Sequence, residues 1–173
     1  MLAGVTDCRV RGDIREIIRR ERSRHKSGEA QKGVLLKRKY SGVRCTTCSD
    51  PDYPDRLINS DCPVCFRTGY VGGYFLTPNF FADLNQYGSA GQRGEYHDIE
   101  GADSTTSLQY LNIPDVQVGD VWVDTQSDQR WLVDQIKTVA RVGSYILIAA
   151  AGVTKLNTDD IVYKVPVPLE MRR

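Results

Sequence analysis

Histidine, long apolar runs and a net charge of one sign are all scarce in this chain, and each scarcity removes a class of function. Of 173 residues only two are histidine, His25 and His97. Both lie in polar surroundings without an evident nucleophile partner, so covalent catalysis of the serine or cysteine type has no visible base. The longest apolar stretch, residues 145–153, falls well short of the roughly 20 residues a helix needs to cross a bilayer, and no membrane partner is expected. No secretory leader precedes the first charged residues. Folding in a reducing cytoplasm follows as the expectation. No P-loop lysine or dinucleotide fingerprint follows the glycine-rich stretch at 68–75. The chain reads as a soluble, non-enzymatic protein long enough for one compact domain with appendages, or for two small ones.

The net charge of +1 hides an asymmetry. Between Arg9 and Arg44 thirteen Lys or Arg face four Asp or Glu, whereas from Cys45 onward ten face seventeen. A basic amino-terminal segment of this kind can bind nucleic acid, or can dock on an acidic surface of another protein or of a second copy.

Cysteine is also sparse, but four of the five form two CxxC pairs, Cys45-Thr46-Thr47-Cys48 and Cys62-Pro63-Val64-Cys65. Each pair can present two thiolates on one tight turn, and two such turns offer four sulfurs in the tetrahedral arrangement that Zn²⁺ prefers. Between the pairs, Asp50-Pro51 and Tyr53-Pro54 are turn formers that let the connection return on itself. With sulfur in every position no site remains for water or substrate, so the ion expected is structural. Two disulfides or a redox dithiol are the alternatives, favoured only in an oxidising compartment. Arg44 and Arg67 flank the pairs and could offset the charge of a four-thiolate centre, or could be ordinary surface arginines. Cys8 has no neighbour in sequence and reads as a structural thiol.

The fold expected is α+β, mainly β. Asp13 is a candidate N-cap for a basic helix over residues 13–25, with Ile14, Ile17 and Ile18 as a narrow apolar stripe. Residues 1–33 would form this helix and a glycine-framed joint, with a strand over 34–40 leading into a knuckle region at 34–81. Residues 68–75 read as a glycine-punctuated hairpin. Residues 82–109 lack periodicity and read as a long polar loop, within a segment 82–112, that Tyr87, Tyr96, Ile99 and Leu108 could anchor against a neighbour. Residues 113–173 read as a small carboxy-terminal β-barrel or sandwich, with strands at 120–124, 130–139, 145–153 and 161–165, and with Trp122 and Trp131 as core anchors.

The segment Cys62-Pro63-Val64-Cys65-Phe66-Arg67-Thr68-Gly69-Tyr70-Val71-Gly72-Gly73-Tyr74 resembles the CPxCxGTGxxGGY signature of neck proteins of tailed bacteriophages, the head-completion or head–tail connector subunits. Gly119-Asp120-Val121, residues 127–133, and Asp159-Asp160-Ile161-Val162-Tyr163-Lys164-Val165-Pro166-Val167 are similar to the β-domain pattern of that family. Arg67 departs from the signature, which has glycine there, and the departure bears on the loop's conformation. The resemblance implies a structural virion protein of the neck that assembles as a homo-oligomeric ring. Its partners would be a portal or adaptor protein on the head side and a tail terminator or other tail protein below, with contact to packaged DNA. It also implies structural Zn²⁺ held by Cys45, Cys48, Cys62 and Cys65. A zinc-ribbon module that binds nucleic acid through residues 9–44 is the alternative. CPVCFRTGY is also similar to the cysteine repeats of J-domain chaperones, which carry four knuckles where this chain carries two.

Overall fold

A computed structural model of the protein describes residues 12, 14–20, 23, 30–50, 57–85, 106–112, 114–142, 145–168 and 170. Six strands, β1 (Gln31–Arg38), β2 (Tyr74–Asn85), β3 (Ser107–Leu111), β4 (Val121–Asp124), β5 (Arg130–Val142) and β6 (Tyr145–Lys155), close into a barrel in the order β1-β2-β3-β6-β5-β4. Among the described residues no helix is long and apolar enough to cross a membrane.

The barrel is therefore not confined to the carboxy-terminal third, where the sequence reading placed it. That segment supplies only β4, β5 and β6, too few to close. The four-residue β4 finds its second partner in β1, antiparallel, with Gly33 opposite Asp124 and Leu36 opposite Val121. The polar stretch 82–109 is strand at both ends. Ala82 to Asn85 belong to β2 and Ser107 to Gln109 to β3, and these ends pair with each other. Tyr87, Tyr96 and Ile99 lie outside the described residues, as do Cys8, His25 and His97.

Two compact units divide the chain. One comprises residues 1–31, 81–115 and 135–152. Its β3 runs antiparallel to both β2 and β6, and the large side chain of Tyr110 sits opposite Ala82 on one side and Ala149 on the other. Small residues flanking a large one let the ring lie fully buried between strands. Residues 14–20 are helical. There Glu16 pairs with Arg19 at 2.8 Å and Arg20 at 3.1 Å, one turn away and exposed. Hydrogen bonds from the two guanidinium groups hold the Glu16 carboxyl below its ordinary range. Gly12 and Ser23 are helical as well, whereas Asp13, the candidate cap, and residues 24 and 25 lie outside the described residues.

The other unit comprises residues 32–80, 116–134 and 153–173. Val34, Leu35 and Leu36 of β1 are all fully buried, as expected of a strand covered on both faces. Trp122 and Trp131 are buried and face each other across β4 and β5, bearing out their reading as core anchors. Gly33 makes room for the indole, since a Cβ there would stand 2.2 Å from Trp122 Nε1. Asp120 is a fully buried carboxylate, accepting from Lys37 Nζ at 3.0 Å and from the backbone N–H groups of Arg38 and Gln117 at 2.8 Å each.

Residues 161–165, read from sequence as a strand, instead begin with a short 3-10 helix, Ile161–Lys164. Two interactions account for the difference. Asp160 caps the first turn by accepting from Val162 N–H at 2.9 Å. The buried guanidinium of Arg130 then donates to the carbonyls of Val162 and Val165 and lies 5.0 Å over the Tyr163 ring. Ile161, Val162, Val165 and Val167 complete a core with Val34, Leu36, Val121, Val123 and Phe66.

Candidate metal centre

The two CxxC turns meet. Cys45, Cys48, Cys62 and Cys65 are all buried, and their sulfurs lie within 4.8 Å of one another. The contacts run between turns, with Cys45 Sγ 3.7 Å from Cys62 Sγ and Cys48 Sγ 3.1 Å from Cys65 Sγ. A tetrahedral metal with bonds of about 2.3 Å to sulfur has edges of about 3.8 Å, so the cluster is of the size that such an ion fills. Every sequence-nominated ligand is thus in place, and the four can hold a metal ion.

Local backbone chemistry explains why these turns form. In the second, Phe66 N–H donates to the Cys62 carbonyl at 2.9 Å and Thr68 N–H to the Cys65 carbonyl at 3.0 Å. The buried Thr68 hydroxyl also donates to the Cys65 carbonyl, at 2.7 Å, and accepts from Tyr70 N–H at 3.2 Å. In the first turn, Ser49 N–H donates to the Cys45 carbonyl. Cys45 N–H donates to the Gly69 carbonyl at 2.9 Å, which ties the two turns together beside the Arg44–Tyr70 bridge. Leu57 packs against the sulfur cluster. The stretch 68–75 is not a hairpin of its own. Tyr70 bridges to Arg44 and β2 begins at Tyr74.

Gly73 is required where it stands. Its φ is +60°, and a Cβ there would meet the Cys65 carbonyl oxygen at 2.7 Å. Phe66 and Arg67 adopt φ of 48° and 69°, so Arg67 keeps the left-handed backbone that glycine favours although it carries a side chain. That side chain pairs with Asp160 at 3.3 Å and lies 3.8 Å from Asp61. Arg44 lies 5.0 Å over the Tyr70 ring. Sequence reasoning missed the Arg67–Asp160 pair because the two positions are remote in the chain. It also missed that Phe66, next to a ligand, enters the core shared with β1 and β4.

Without metal the thiols differ. Burial pushes Cys48 up, reinforced by the hydrogen bond with Cys65, and burial also raises Cys65. For Cys62 burial acts the same way, but the backbone N–H groups of Val64 and Cys65 outweigh it and bring the thiol down to about 7. Such a set releases protons on binding a cation, since the metal takes thiolates. Comparison with protein-family models, with curated proteins and with solved structures finds no match.

Proposed function

We propose that this chain is a structural subunit of the neck of a tailed bacteriophage, one copy of a ring that joins the portal-bearing head to the tail and helps retain packaged DNA. In this reading Cys45, Cys48, Cys62 and Cys65 hold one structural Zn²⁺. The observation that carries it is the closed four-sulfur cluster formed by the signature segment and the first CxxC turn, in which the residues of the pattern have physical roles. The cysteines converge, Thr68 braces the second turn through the Cys65 carbonyl, the Gly69 carbonyl ties the two turns together, and Gly73 admits the Cys65 carbonyl. Four sulfurs saturate a tetrahedral ion, so its contribution is rigidity. Phe66 passes that rigidity into the core beside β1 and β4. A stiff small domain on a chain of opposed charge halves suits repeated contact between copies.

The test is the mass of the zinc-loaded protein in solution, by light scattering and native mass spectrometry, together with its location in virions by cryo-electron microscopy. A closed oligomer, and density for the chain between portal and tail, are the expected results. A stable monomer absent from purified virions would refute the neck assignment.

A further inference from the structure

Beside the cysteine turns lies a face on which cations and aromatic rings alternate. Lys39 Nζ stands 4.8 Å from the centroid of Phe75, the Arg44 guanidinium 5.0 Å from Tyr70, and the Arg38 guanidinium 5.7 Å from Tyr40. These residues form one surface. Lys39 Nζ donates to the Val71 carbonyl at 2.9 Å, Val71 N–H donates to the Val43 carbonyl, and Arg44 bridges to Tyr70. Tyr40 leans across to donate from its hydroxyl to the Val118 carbonyl at 2.5 Å.

Two features of this face point to a ligand. Tyr40 and Phe75 are 53% and 60% exposed, where rings of this size ordinarily seek cover. The segments 37–44, 70–75 and 116–119 that build the face contain no Asp or Glu. Asp120, which follows them, is fully buried and committed to Lys37 and two backbone amides.

We infer that this face binds a single-stranded segment of nucleic acid, with Tyr40, Tyr70 and Phe75 as stacking platforms for unpaired bases and Arg38, Lys39 and Arg44 on the phosphates. Cations alone would suit an acidic peptide equally well. Rings interleaved with cations are what a strand offering alternate π-faces and phosphates requires. The inference stands independently of the neck reading, because it rests on this face and not on ring formation.

The experiment is fluorescence anisotropy of a labelled 20-nucleotide oligothymidylate with the zinc-loaded full chain, against a duplex of equal length and against poly-glutamate. The parent should bind the single strand more tightly than the duplex. Tyr40→Ala/Phe75→Ala leaves every charge in place, including those of the basic amino-terminal segment, and should weaken single-strand binding by about 5-fold or more. Arg38→Gln/Lys39→Gln should make the dependence of log affinity on log salt shallower by ~0.7 for each phosphate no longer neutralised. Unchanged thermal unfolding of both variants confirms that the fold is kept. Equal affinity of the parent and Tyr40→Ala/Phe75→Ala, tighter binding of the duplex, or binding of poly-glutamate in place of the oligonucleotide would each overturn the assignment.

Discussion

Replacing Gly73 with alanine adds one methyl group, yet the geometry gives it a large effect. At φ +60° an L-residue costs about 1–2 kcal/mol relative to glycine. The new Cβ would also stand 2.7 Å from the Cys65 carbonyl oxygen and 2.9 Å from the Phe66 ring. The first is backbone and the second is packed in the core, so neither yields freely, and overpacking of this kind costs about 1–3 kcal/mol. Against this, alanine restricts the unfolded chain and returns about 0.4–1 kcal/mol. The net loss should be about 2–4 kcal/mol, which lowers the melting temperature by roughly 5–15 °C for a chain of this size. Because the displaced group belongs to a ligand residue, metal affinity measured against a chromophoric chelator should fall as well. Gly152→Ala is the control, for its Cβ would find only Gln135 Cβ at 3.7 Å, and its effect should stay within about 0.5 kcal/mol. A Gly73→Ala protein that melts within about a degree of the parent and holds metal equally well would refute the reasoning.

Further outcomes are expected elsewhere. Asp120→Ala removes the carboxylate from three donors, one of them Lys37 in a largely covered site, so stability in urea should drop by about 2–4 kcal/mol, with Asp120→Asn losing less. Metal binding near neutral pH should release at least the two protons held by Cys48 and Cys65, read with an indicator dye in weak buffer. Since those thiols are pushed up, protons compete for them across the neutral range, and affinity should fall about 100-fold or more for each pH unit of acidification. A pH-independent affinity would contradict that.

The parts of this structure that sequence disclosed are those with local signals. The CxxC spacing named all four sulfurs that converge. Strands β1, β4, β5 and β6 were legible from apolar runs bounded by turns, such as Val34-Leu35-Leu36 and the 125–129 connection between β4 and β5. The parts that stayed hidden depend on remote partners. Nothing near Ile161 signals that Arg130 will hold the carbonyls of Val162 and Val165, so a β-branched run read as strand folds as a 3-10 turn. Ala82, in the stretch read as loop, carries no strand signature until Tyr110 is placed opposite it. Arg67 looked like a flaw in the turn, whereas its backbone takes the glycine conformation and its side chain reaches Asp160.

The centre itself is tested most directly by X-ray absorption at the zinc edge on full-length protein made in zinc-replete medium, with metal content measured on the same sample. One equivalent of zinc per chain, bound by four sulfurs at about 2.3 Å, is the expected result. Well below one equivalent, a first shell containing nitrogen or oxygen, or sulfurs joined in pairs at about 2.05 Å would contradict a closed four-cysteine metal centre.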